Sequence, residues 1–186
     1  YLFENLAPGS YTVEFTKPVG YTNTSPANQL SNEELDSDPN ILTGIAAAVT
    51  LLSGDNNLTV DAGYYKPASL GDYVWEDTNF NGQQENGELP IQGVSVSLQN
   101  ISGGTALDNN GNLVSATTTN SLGYYSFTNL KPGEEYIVVF SAPSGFTPTT
   151  AQSGNDFSDS DANTLTGKAP VVVLESGEFN QTIDAG

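Results

Sequence analysis

Apolar residues in this chain come in short runs separated by turn residues, not in helical stripes. "YIVVF" (136–140), "VSVSL" (94–98) and "PVVVL" (170–174) are β-branched and aromatic stretches of strand length. "VSVSL" alternates apolar and polar positions, which predicts one buried and one wet face. Between the runs stand Asn81-Gly82, Pro132-Gly133, Ser144-Gly145 and Ser176-Gly177, dipeptides suited to reversing the chain. No segment carries a 3.6-residue apolar period with capping residues. "SNEELDSDPN" (31–40) comes nearest, but it is short and Pro39 ends it. Short strands with Gly/Asn turns between them predict an all-β protein built as a sandwich.

The same patterns occur twice. "YLFENLAPGSYTVEFTKPVGYT" (1–22) matches "YSFTNLKPGEEYIVVFSAPSGFT" (125–147), with one residue inserted in the second copy. "DSDPNILTG" (36–44) matches "DSDANTLTG" (159–167), and "LTVDAG" (58–63) matches "QTIDAG" (181–186). A repeat of this length means tandem units. Residues 69–186 then form a complete β-sandwich repeat, 64–68 with Pro67 a short stiff linker, and 1–63 the C-terminal half of a first repeat. Half a sandwich leaves strand edges and a core face open. Two completions are open, continuation of a longer tandem polymer or strands donated by a neighbouring chain, besides a fragment left disordered or held only by crystal packing. Both predict a linear assembly, with neighbouring repeats of the same or identical chains as partners.

Charge narrows the partners. Four Lys+Arg face 22 Asp+Glu, a formal net charge of -18. Such a surface repels nucleic acid and anionic lipid and attracts divalent cations. The chain has no Cys and no His, so thiolate or imidazole zinc sites and Ser-His-Asp triads are excluded. The most apolar stretch, "TGIAAAVTLL" (43–52), is too short to span a bilayer, so no membrane insertion is expected. No signal peptide or sorting signal is visible.

One motif carries specific chemistry. "DTNFNGQQENGE" (77–88) meets the calcium-loop pattern D-x-[DN]-x-[DN]-G-x5-E in full. Asp77 stands at position 1, Asn79 at 3, Asn81 at 5, Gly82 at 6 and Glu88 at 12. Gln83 offers its backbone carbonyl at 7, and Glu85 at 9 binds directly or through water. Calcium takes six to eight oxygens, and a loop turning about the ion points every second side chain inward. The bland alternative is a polar hairpin loop with an Asn-Gly turn. The flanks, "SLGDYVWE" and "PIQGVSVSLQ", read as strands, so there are no helices for such a loop to open. Calcium here would fix an inter-strand loop. A second acidic cluster, "GNDFSDSDAN" (154–163), gathers Asp156, Asp159, Asp161 and Asn163, and is echoed by Asp36 and Asp38 in "EELDSDPN" (33–40). Both are candidate metal loops, against the alternative of a solvated acidic turn.

These stretches together resemble a known family. "SLGDYVWEDTNFNGQQENGELPIQGVSVSLQN", "TTTNSLGYYSFTNLKPGEEYIVVFSAPSGFTPTTAQSGND" and "TIDAG" are similar to the B repeats of Sdr-type surface adhesins, the SdrD B-like domain, a relative of the collagen-adhesin B-type fold. The resemblance implies tandem immunoglobulin-like β-sandwiches, the first truncated at its N-terminal half. It also implies an extracellular, bacterial cell-surface or secreted location, and bound Ca2+. The family's calcium loop falls on Asp77, Asn79, Asn81, Gln83 and Glu88, with further contacts from acidic loops like that of Asp156 to Asp161. Asn stands here where the family loop often has Asp, which lowers the expected affinity. Related B-type domains form Lys–Asn or Lys–Asp isopeptide bonds, but none of Lys17, Lys66, Lys131 and Lys168 falls in the first strand of the complete unit. Tyr73 and Trp75 alternate on that strand, as core aromatics or as a carbohydrate platform, and core is the expectation. The expected role is non-catalytic: a calcium-stabilised repeat of an adhesin, stalk or fibre. The alternative is an adhesive module for a host or matrix protein or glycan.

Overall fold

A computed structural model describes residues 1–22, 25 and 36–186. Residues 31–35 of the "SNEELDSDPN" segment lie outside the described residues. No helix occurs among the described residues, and none is therefore long and apolar enough to cross a membrane. The chain divides into two compact units, Tyr1–Lys66 and Pro67–Gly186.

The second unit is a two-sheet sandwich. Strand β3 (Ala68–Leu70) lies between β6 (Phe127–Leu130) and β9 (Phe179–Asn180), antiparallel to the first and parallel to the second. The facing sheet runs β5 (Thr117–Thr118), β4 (Ser95–Asn100), β7 (Glu135–Ser141), β8 (Lys168–Val173), all antiparallel. Alternation decides which side chains point inward. Val96 and Leu98 of β4 and Tyr136, Val138 and Phe140 of β7 are buried, while Ser97, Ile137 and Val139 face out. The inward residues meet Leu70, Phe127 and Leu130 of the other sheet in one hydrophobic core. The stretch "SLGDYVWE" is a strand only as far as Leu70. Beyond Gly71 it makes single bridges to three partners: Tyr73 to Tyr124, Val74 to Ala185 and Trp75 to Pro90. Trp75 is 0% exposed, which answers the platform question in favour of the core.

Among the described residues, the first unit contains one two-stranded antiparallel sheet, β1 (Gly9–Tyr11) with β2 (Val49–Leu51), Tyr11 opposite Val49. The matching strands of the second unit place Tyr136 opposite Val172. The local geometry repeats too. The Tyr11 hydroxyl donates to the Ala7 carbonyl as the Tyr136 hydroxyl donates to that of Lys131. Asn5 and Asn129 both adopt left-handed backbone, φ 59° and 57°. Burial does not repeat. Tyr1 is 75% exposed where Tyr125 is 5%, and Phe3 is 62% where Phe127 is 3%. Among the described residues, the first unit has no strands beyond β1 and β2 to cover those rings. Of the 64–68 segment, the Tyr65 carbonyl accepts from Thr22 N in the first unit, while Ala68 opens β3 of the second.

Candidate metal centre

The loop 77–88 closes on itself through its own polar side chains. Asp77 Oδ2 accepts from Gly82 N at 2.8 Å, and its Oδ1 accepts from Asn81 N at the longer 3.3 Å. Asn79 Oδ1 also accepts from Asn81 N, and Asn81 Oδ1 accepts from Gln83 N. Glu88 reaches back across the loop: Oε1 accepts from Thr78 N and Oε2 from Glu85 N. The Asn79 amide donates to Glu85 Oε2. Side chains at positions 1, 3, 5 and 12 thus accept from backbone N–H groups of the loop, and those at 3 and 9 are hydrogen-bonded to each other. Burial raises the Asp77 carboxyl, but the Thr149 hydroxyl and the backbone N–H groups of Gly82, Phe80 and Asn81 outweigh it. They hold the group below its ordinary value and keep it ionised.

Gly82 is required where it stands. Its φ is +78°, and an added Cβ would run into the Thr150 carbonyl. That carbonyl lies just ahead of the acidic segment, and the segment itself packs directly against the loop. Gln83 bridges Asp159, Ser160 N donates to Gly82 O, and Gln84 N donates to Ser158 O. The Gln83 side chain donates to Ser153 O, and the Thr149 hydroxyl to Asp77 Oδ2 at 2.6 Å. The two candidate loops of this unit are therefore one assembly.

Within the acidic segment the aspartates divide. Asp156 is exposed, whereas Asp159 and Asp161 are buried. Asp161 pairs in both directions with Asp184: its N–H donates to the Asp184 carbonyl, and Asp184 N donates to Asp161 Oδ2. Asp184 is 0% exposed, and neither of its carboxylate oxygens, nor Asp159 Oδ1, has a hydrogen-bond partner. Burial first, then the charge of Asp161, pushes Asp184 up to about 9. Burial and the charge of Asp159 push Asp161 up to about 7 against its hydrogen bonds from Asp184 and Gln152. Asp72 is raised to about 6 by burial alone.

The first unit repeats the pairing. Asp38 N donates to Asp61 O, and Asp61 N to Asp38 Oδ2. Asp36 is buried, and neither of its carboxylate oxygens has a partner among the described residues. The sequence reading named Asp36, Asp38, Asp159 and Asp161 but missed Asp61 and Asp184. Their one signal was the recurring "DAG" that closes each unit.

These donors are all oxygen, the set a hard cation such as Ca2+ takes. Unsatisfied buried carboxylate oxygens also need a proton or a cation. Among the described residues, no three acidic side chains form a metal-holding group by themselves. An ion in the 77–88 loop would therefore take carboxamide and main-chain oxygens beside Asp77 and Glu88.

A family model described as SdrD B-like domain matches residues 1–64 and 68–186. The chain is 44% identical over 188 residues to the serine-aspartate repeat-containing protein D of Staphylococcus aureus strain Newman, covering 100% of this chain and 13% of that protein. It is 47% identical over 158 residues to the serine-aspartate repeat-containing protein F of Staphylococcus epidermidis, covering 84% of this chain and 8% of that protein. Among solved structures, the minor pilin GBS52 of Streptococcus agalactiae aligns with a TM-score of 0.41 at 14% identity, covering 77% of this chain and 64% of that one.

Proposed function

The chain belongs to the SdrD B-like domain family, and from that we propose that it is a structural, non-catalytic segment of a bacterial surface adhesin, stalk or fibre, stiffened by calcium. The observation that carries this reading is the 77–88 loop, which has calcium-loop spacing and is held in a turn by hydrogen bonds to its own polar side chains, without helices on either side. Asp77, Asn79, Asn81, the Gln83 carbonyl and Glu88 would hold the ion, with Glu85 nearby. Asp156, Asp159 and Asp161, and Asp36 and Asp38 in the first unit, are weaker candidates, since no three acidic side chains among the described residues form a metal-holding group by themselves. Bound calcium would supply charge compensation and fixed geometry. Neighbouring repeats are the expected partners.

The deciding experiment is thermal unfolding of the 186-residue chain with calcium and then with excess chelator. The single Trp, Trp75, reports on the second unit alone. Calcium is expected to raise the melting temperature, and the Asp77→Ala, Glu88→Ala double variant to melt as the chelated protein does. Coincident curves for the native chain would sink the calcium reading.

One observation favours a second reading, an adhesive surface. The outer face of β7 and β8 carries Ile137, Val139, Val171 and Val173, with Ile137 opposite Val171. The first unit has Thr12, Glu14, Ala48 and Thr50 at those positions. Saturable binding of the chain to matrix proteins, lost in Val171→Thr, Val173→Thr, would support it.

A further inference from the structure

Thr149 is buried at 8% exposure, an unusual place for a threonine hydroxyl. Its side chain is fixed from several directions. Thr149 N donates to Gly186 O at 3.0 Å, and a Cβ on Gly186 would meet both the Thr149 methyl and the Trp75 ring at 2.9 Å. Thus the C-terminal glycine and the core tryptophan seat this residue. Its hydroxyl has one partner, Asp77 Oδ2, 72 positions away in sequence and 2.6 Å away in space. In the first unit Ser25, also a hydroxyl residue, makes the matching bond from its N–H to Gly63 O at 2.7 Å.

We infer that Thr149 is a positioning residue of the calcium loop, orienting the Asp77 carboxylate; this rests on the calcium reading of residues 77–88. Asp77 Oδ2 accepts two short bonds, from Thr149 and from Gly82 N, at 2.6 and 2.8 Å. Oδ1 has the longer contact, 3.3 Å from Asn81 N, and the Phe80 N–H also hydrogen-bonds the carboxylate. Oδ2 carries the two short bonds and is committed to the fold, so Oδ1, with the longer one, is the oxygen freer to turn toward an ion. A carboxylate at position 1 of an isolated loop would rotate between these roles. Here the donor comes from a different segment, anchored beside the core, so the loop's first ligand is aligned before an ion arrives. Partners of this kind, which hold a ligand without touching the metal, affect affinity strongly.

The test uses Thr149→Val, which keeps the shape and deletes the hydroxyl, and Thr149→Ser, which keeps the hydroxyl and deletes the methyl. Calcium dissociation constants are measured by calorimetric titration of the folded 186-residue chain. Thr149→Val is expected to weaken binding by about 10-fold, while Thr149→Ser binds as the native chain does. Equal affinity in all three, or equal loss in both variants, overturns the inference and leaves the calcium reading standing. A native chain that takes up no calcium overturns both.

Discussion

Without calcium, the second unit should lose stability as pH rises from 7 to 9, and Asp184 should be the cause. The carboxyl ordinarily titrates near 3.8 but is pushed up to about 9 in the folded unit by burial and by Asp161. The folded state therefore holds a proton that the unfolded state has released. A raised pKa contributes stability that is complete below about 3.8 and lost as pH rises through about 9. Each pH unit in which the fold keeps one extra proton is worth about 1.4 kcal/mol. From pH 7 to pH 9 the loss is about 2–3 kcal/mol, or roughly 5–15 °C in melting temperature for a unit of this size. Asp161, pushed to about 7, adds its own loss mostly below this window.

Trp75 fluorescence in chelator at both pH values measures the effect, and the chain has no His or Cys to titrate between them. Asp184→Asn removes the ionisable group at nearly constant shape. The variant should melt at nearly the same temperature at pH 7 and pH 9, and above the native chain at pH 9. With calcium present the native slope should shrink, because a cation can replace the proton. Equal melting temperatures for the metal-free native chain at the two pH values would refute the reasoning. So would an undiminished slope in Asp184→Asn.

Two further predictions concern single contacts. Gly82→Ala should destabilise the second unit by more than the roughly 1–2 kcal/mol cost of left-handed backbone, because its Cβ meets the Thr150 carbonyl. Gly87→Ala, with φ +105° and open space around it, should show the backbone cost alone, and chemical denaturation measures the difference. Tyr136→Phe should cost about 1–3 kcal/mol in the same assay, since the Tyr136 hydroxyl both donates to Lys131 O and accepts from Lys131 N. A cost indistinguishable from zero would mean that water replaces both bonds.

Local patterns reached as far as local physics extends. The runs at 94–98, 136–140 and 170–174 fall on β4, β7 and β8 because alternation and β-branching report directly on a half-buried pleated surface. The hydrogen-bonded turn of 77–88 was legible for the same reason: its donors lie within twelve residues. What escaped was long-range. Nothing in "TIDAG" marks Asp184 as fully buried, since burial of a carboxylate depends on Asp161, 23 positions earlier. Thr149 looks like any loop threonine until the fold brings Asp77 to it. The reading of "SLGDYVWE" as one strand failed past Leu70, where backbone pairing passes among three segments that no alternation encodes.

The same long-range contacts explain how a cation could stiffen a domain without a switch. Asp77 and Gly82 on one loop are bonded to Thr149, Ser160 and, through Gln83, Ser153 on another. That second segment is bonded in turn to Asp184 and Gly186 at the end of the chain. Holding three segments so distant in sequence costs loop-closure entropy, and their interface is polar, with buried carboxylates that repel one another. An apolar core gives no help there. A bound cation would offset the repulsion where the fold is electrostatically weakest. Its loss should then loosen this end of the sandwich first and leave the β4–β7 core to melt later. Amide exchange in chelator provides the check: Gly82, Ser160 and Asp184 should lose protection before Val96 and Val138. Simultaneous loss at all five would show that the carboxylate end is no weaker than the core.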